Sequence, residues 1–218
     1  MAKLYFRYGA MNSGKSTALL QAAYNYEERG QRVLLAKPAI DTKAADQVES
    51  RLGMSRTVDF VLAPGDEPRD VFARSAARVA AETGGRVACL LVDEAQFLTA
   101  GQVDGLFRIA VLDDIPVLAY GIRTDFRTEA FPGSRRLLEV AHTLEELKTI
   151  CRCGRKALFN GRLIDGRFVF AGDQVAIDTS TGLSASTSTG LSASGEVTYE
   201  SLCGLCYLEE SGGHLDGR

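Results

Sequence analysis

The chain has 218 residues, 24% of them charged and 45% hydrophobic, with a formal net charge of −3 and a pI near 5.5. That length supports one good core with room for a smaller appended unit, and the acidic balance argues against nonspecific affinity for nucleic acid or anionic membranes. No apolar run reaches the length of a membrane span, the first seven residues do not read as a signal peptide, and the five cysteines are therefore expected in a reducing compartment, where metal binding is favoured over disulfides.

Leu4–Tyr8 mixes aromatic and apolar residues and runs into Gly9, the pattern of a short buried strand. Residues 16–29 follow with good helix formers and stop at Gly30. A second apolar strand covers 33–36, and 70–82 carries Val71, Phe72, Ala76 and Val79 at helical spacing before Gly84 and Gly85. Val87–Val92 is uninterrupted apolar sequence, as in a strand buried on both faces. A helix over 102–111 and a strand over 116–120 complete the alternation, which predicts a parallel sheet flanked by helices on both sides.

After Leu147 the pattern changes. Two strands, 157–162 and 167–171, are predicted to form a hairpin turning at Asp165-Gly166. The run Ser-Thr-Gly-Leu-Ser-Ala-Ser occurs twice, starting at Ser180 and at Ser188, and a repeat of small polar residues reads as a loop with too little surface to bury. The expected organisation is a phosphoryl-transfer domain over 1–148, a smaller domain over 149–208 and a tail without order over 209–218.

The loop after the first strand, Gly9-Ala10-Met11-Asn12-Ser13-Gly14-Lys15-Ser16, fits G-x-x-x-x-G-K-[ST] in its proper strand-to-helix setting. Glycines let successive amides face phosphate oxygens at the positive end of a helix. Lys15 then suits the β- and γ-phosphates and Ser16 a Mg²⁺ ion. At the end of the buried strand, Asp93 suits the metal side of that site and Glu94 is placed to act as general base. These two motifs alone leave open an ATPase, a helicase, a kinase or a nucleotide-dependent switch.

Cys151 and Cys153, with Cys203 and Cys206, form a C-x-C and a C-x₂-C pair, enough thiolates for one tetrahedral structural Zn²⁺; scattered free cysteines are the plain alternative. Cys89, inside an apolar strand, reads as inert core.

Taken together, Ala10–Thr17 at the phosphate loop, residues 92–98 (Val-Asp-Glu-Ala-Gln-Phe-Leu), 120–127 (Tyr-Gly-Ile-Arg-Thr-Asp-Phe-Arg) and 199–207 (Tyr-Glu-Ser-Leu-Cys-Gly-Leu-Cys-Tyr) resemble the zinc-containing thymidine kinases, with the third string closest to their enterobacterial branch. The resemblance implies a P-loop α/β fold with a zinc-bound β-unit carrying a lasso-like loop near 195–201, and transfer of the ATP γ-phosphoryl group to the 5′-hydroxyl of thymidine. It makes Glu94 the base. It assigns Gly9 to Ser16, Asp41, Asp93 and Gln96 to ATP and its Mg²⁺. Met11, Phe97, Ile122, Phe126, Asn160 and Tyr199 fall to the nucleoside, with Phe126 stacked on the ring. A homotetramer, a cytoplasmic location and feedback inhibition by dTTP also follow from the resemblance. Lys43 stands where the family usually has an arginine, and the serine-rich repeat lengthens the approach to the lasso.

Overall fold

The computed structural model describes residues 1–39, 47–172 and 196–215. They divide into two compact units: Met1–Arg123 with Ala130–Thr149, and Thr124–Glu129 with Ile150–Arg218.

The first unit runs β1 (Leu4–Tyr8), α1 (Lys15–Glu27), β2 (Arg32–Pro38), β3 (Gln47–Glu49), β4 (Ser55–Thr57), β5 (Phe60–Leu62), α2 (Pro68–Thr83), β6 (Val87–Val92), a 3₁₀ turn (Ala95–Phe97), α3 (Ala100–Leu112), β7 (Val117–Gly121), α4 (Pro132–Val140) and β8 (Thr143–Glu146). Six strands form one parallel sheet in the order β5-β2-β6-β7-β1-β8, while β3 and β4 make a separate antiparallel pair.

The sheet is apolar on both faces because successive side chains point to opposite sides. Cys89 and Leu91 of β6, with Val33 and Leu35 of β2, pack against Leu19, Leu20 and Ala23 of α1. Leu90 and Val92, with Leu34 and Ala36, pack instead against Phe72 and Val79 of α2 and Val103, Leu106 and Ile109 of α3. Local signals fix the helices: Pro68 opens α2 and Pro132 opens α4 at the position where a missing N–H costs nothing. Thr99 and Gln102 form a reciprocal capping box on α3.

The second unit contains β9 (Thr149–Ile150, shared with the end of the first), β10 (Lys156–Ala157), β11 (Phe159–Ile164), β12 (Arg167–Phe168), β13 (Val197–Leu202) and α5 (Gly204–Glu210). β11 is central, antiparallel to both β12 and β13. Asp165 (φ 50°) and Gly166 (φ 76°) close the β11–β12 hairpin in the left-handed backbone that a tight two-residue turn requires. The core here is small: Cys151, Ala157, Leu202, Cys203, Cys206 and Tyr207, with Phe159, Phe168 and Phe170 against it.

The predicted alternation of strand and helix is the observed one, with ends moved by a few residues. The edge strands β5 and β8, the hairpin β3–β4 and α4 were not predicted. α5 extends through Glu209 and Glu210, where a tail was expected, and Ser211 Oγ then donates to His214 O at 2.6 Å. Asp41, Lys43, the serine-rich repeat, Gly195 and 216–218 lie outside the described residues. No described helix is long and apolar enough to cross a membrane.

Candidate active site and metal centre

The loop after β1 is shaped by backbone demands that its sequence meets. A side chain at Gly9 would bring Cβ within 2.6 Å of Leu147 O, so only glycine fits. Asn12 (φ 66°) and Gly14 (φ 78°) take left-handed conformations, and Gly14 caps α1, its carbonyl accepting from the Ala18 amide at 2.9 Å. Lys15 Nζ donates to Ala10 O at 3.0 Å. Burial lowers the Lys15 pKa, an effect opposed by the nearby carboxylates of Glu94 and Asp93 and reinforced by Arg51. Ser13 Oγ is buried and has no hydrogen-bond partner among the described residues. A buried hydroxyl without a partner in this loop fits an oxygen-rich ligand.

The strand β6 ends beside this loop. Asp93 is buried, its amide donating to Ala36 O at 2.9 Å, and its carboxyl is pushed up to about 7 by burial and then by the charge of Glu94, with Lys37 and Lys15 acting the other way. A buried carboxylate that resists ionisation stands here beside a second carboxylate, oxygen donors of the kind a hard divalent cation takes; Ser16 lies in the first turn of α1.

Glu94 itself holds φ 50°, ψ 36°, an uncommon conformation for a residue with a side chain, of the kind worth roughly 1–3 kcal/mol of strain. Gln96 is 1% exposed; its Nε2 donates to the Glu94 carboxylate and its Oε1 accepts from the Ile122 amide at 3.2 Å. Grouped by resemblance with the nucleotide contacts, Gln96 in this structure has both polar ends engaged by protein and orients Glu94. Ile122 is buried and its carbonyl accepts from Ser134 Oγ at 2.6 Å. Phe97 is half-buried in an edge-to-face contact with Phe131, centroids 5.5 Å apart, and Met11 is half-buried in the loop.

The second unit gathers Phe126, Asn160 and Tyr199. Asn160, 2% exposed, donates from Nδ2 to Thr124 O at 2.9 Å, and the buried Thr124 Oγ1 has no partner among the described residues. Phe126 is 1% exposed and one face is covered by the Arg162 guanidinium, 3.8 Å from the ring centroid. Arg162 sits opposite Tyr199 across β11 and β13 and donates to Ala171 O. Tyr207 OH donates to Phe126 O at 2.7 Å, tying α5 to the segment Thr124–Glu129.

All four paired cysteines meet: the Sγ atoms of Cys151, Cys153, Cys203 and Cys206 lie within 4.8 Å of one another, Cys153 and Cys203 at 3.5 Å. Four sulfurs at about 2.3 Å from a tetrahedral zinc stand about 3.8 Å apart, so the set fits the ion. Backbone donation from Arg155, then the Cys203 thiol, lowers Cys153 to about 6, while hydrogen bonding to Cys153 and burial push Cys206 up to about 12. The tight C-x-C spacing is accommodated at Gly154 (φ 84°), whose amide donates to Cys151 O at 2.8 Å. Cys89 is fully buried, and burial holds its thiol neutral at a pKa of about 12.

Two residues escaped prediction. Lys37, 3% exposed, lies at the end of β2 next to Asp93; its signal was a lone lysine closing an apolar strand. Arg162 gave no signal, because its role is to cover Phe126, 36 positions earlier in the chain.

A family model described as thymidine kinase matches residues 2–207. Curated relatives named thymidine kinase include one from Ruegeria pomeroyi, 44% identical over 214 residues, 97% of this chain and 96% of the relative. One from Legionella pneumophila (strain Paris) is 50% identical over 179 residues, covering 81% of this chain and 83% of that protein. One from Chromobacterium violaceum is 43% identical over 209 residues, 95% and 98% of the two chains.

Proposed function

The chain belongs to the thymidine kinase family, enzymes that phosphorylate thymidine, and from that membership we propose how its residues divide the transfer of the ATP γ-phosphoryl group to the thymidine 5′-hydroxyl. The observation that carries the reading is the meeting, in one unit, of Lys15 on a phosphate-shaped loop with the carboxylates of Asp93 and Glu94.

Residues Gly9 to Ser16 hold the triphosphate, with Lys15 on its β- and γ-phosphates. Asp93 and the Ser16 hydroxyl hold Mg²⁺, which when bound neutralises phosphate charge and aligns the γ-phosphoryl group; Asp41, outside the described residues, is assigned to the same site. Glu94, oriented by Gln96, removes the 5′-hydroxyl proton as the O5′–P bond forms and the bond from γ-phosphorus to the bridging oxygen breaks, leaving ADP and dTMP. Family likeness assigns Met11, Phe97, Ile122, Phe126, Asn160 and Tyr199 to the nucleoside. It also assigns Phe126, whose ring lies covered at 1% exposure, to stack on the base and the main chain near 195–201 to the base edge.

The four cysteines hold one structural Zn²⁺, supported by their donor set and mutual distances. Family likeness supports three further parts of the reading: a cytoplasmic enzyme, a homotetramer, and feedback inhibition by dTTP. The test of the chemical assignment is Glu94→Gln. It is expected to lower kcat by about 10²- to 10⁴-fold while ATP affinity in a calorimetric titration stays unchanged. Near-normal turnover would remove Glu94 as the base.

A further inference from the structure

Among the described residues Arg162 is the only buried arginine, 5% exposed, and it stands in the unit with the smaller core. Taking a guanidinium out of water is costly unless its surroundings compensate the charge. A leucine or methionine would cover a phenyl ring without that cost. The assignments above use Phe126 and leave the cation that lies on it without a task.

The contacts of Arg162 show what it joins. Its Cζ lies 3.8 Å from the centroid of the Phe126 ring, within the range of a cation held against an aromatic face. Its Nη2 donates to Ala171 O, and its main-chain carbonyl accepts from the Val169 amide at 2.9 Å. Gly172 takes φ 108°, and a Cβ there would come within 2.9 Å of Nη2. Glycine is thus required at 172 by the backbone angle and again by the room the guanidinium takes. In the same segment Phe170 packs edge-on against Tyr207, with ring centroids 5.1 Å apart. Residues 169–172 therefore form a cradle from which the guanidinium reaches the ring.

The backbone that carries Phe126 is held by other bonds. The Asp125 carboxylate accepts from the amides of Arg127 at 2.8 Å and Glu129 at 2.9 Å, and Tyr207 OH donates to Phe126 O at 2.7 Å. Those bonds fix the main chain and leave the ring its rotation about χ2. A stacking platform that must be ordered as the ligand arrives loses affinity to that ordering; one ordered beforehand does not. A cation on one ring face, itself tied to a carbonyl, sets the plane of the ring and takes up one of its two faces.

We propose that Arg162 is a positioning residue for the nucleoside, fixing the Phe126 ring from one side so that the thymine base stacks on the other. The proposal rests on the assignment of Phe126 to the base. Arg162→Met keeps a long unbranched chain over the ring while removing the charge and the planar fork. It raises the KM for thymidine about tenfold, with kcat within about threefold and the Kd for ATP within about twofold of wild type. Arg162→Lys keeps a cation without the fork and recovers part of the loss. In a Phe126→Ala background, which itself raises the KM, Arg162→Met adds less than about twofold, because no ring remains to be positioned. Gly172→Ala, at an exposed position, crowds the guanidinium without removing it and raises the KM by a smaller factor. That variant carries the test if Arg162→Met loses its fold by circular dichroism.

An unchanged thymidine KM in folded Arg162→Met would overturn the proposal. A KM lowered several-fold would overturn it too, since the guanidinium would then be competing with the base for the ring. Equal losses in the wild-type and Phe126→Ala backgrounds would remove the link through the ring. If Phe126→Ala leaves the KM at its wild-type value, the stacking assignment fails and the proposal with it. If Phe126→Ala raises the KM while Arg162→Met is silent, the proposal alone fails.

Discussion

The two units stabilise themselves by different means. The first buries both faces of a six-stranded sheet, with strands such as Leu34-Leu35-Ala36 and Leu90-Leu91-Val92 entirely without exposure. The second has a core of six buried residues, three of them cysteines whose sulfurs converge with a fourth, under a sheet of three strands. A large apolar core tolerates the strain held at Glu94 and the burial of Asp93 and Lys37 in its active edge. A core this small has little apolar area to offset chain entropy, and its four converging thiolates are the donor set for the metal clip proposed above. The lesson is that charge is buried where the hydrophobic surplus is, while the lesser unit gathers thiolates in its core.

The largest effect that would break this comparison comes from removing the metal. Chelation under native conditions, or Cys206→Ser, is expected to melt the second unit selectively and to cut thymidine-dependent turnover by about 100-fold or more, while ATP affinity is kept. Circular dichroism and ATP titration on the same sample check it. Unchanged thymidine turnover in verifiably zinc-free protein would show that the second unit stands without its clip.

A smaller effect sharpens the account of the first unit. Burial raises the Asp93 carboxyl from 3.8 to about 7, so the ionised form is the disfavoured one in the folded state. Stability from this group is therefore full below 3.8 and is lost progressively as pH rises towards about 7, after which the loss is constant. Asp93→Asn, measured without Mg²⁺ or nucleotide, should raise the unfolding midpoint by about 5 °C at pH 8 and by clearly less at pH 5. An equal shift at both values would mean that Asp93 is not held in an unfavourable ionised state.

How much of this was legible in the sequence also differs between the units. The loop from Gly9 to Ser16 could be read because its chemistry constrains backbone angles, and Gly9 and Gly14 are residues that such angles and close approaches demand. β6 could be read because a strand covered on both faces has no polar position to spare. α4 was missed since Pro132-Gly133 opens it with residues that usually signal a turn, although Gly133 is required there by the carbonyls of Ala95, Leu98 and Gln96 pressing against it. β8 was missed because Thr-Leu-Glu-Glu on a sheet edge carries no apolar run. In the second unit the four cysteines announced themselves by type and spacing, and the hairpin by Asp165-Gly166. What no local pattern could reveal are the pairings made across distance: Gln96 between Glu94 and Ile122, Arg162 on Phe126, and Lys37 between Gln47 and Asp93. Each depends on which strand ends the topology brings together.

The most direct test of the central claim is ADP release from ATP with and without thymidine, using zinc-replete enzyme and Mg²⁺. The account predicts ADP formation that rises with thymidine to saturation, matched mole for mole by dTMP, and negligible ADP in its absence. ADP released at the same rate with and without nucleoside would contradict it, leaving an ATPase built on the same loop.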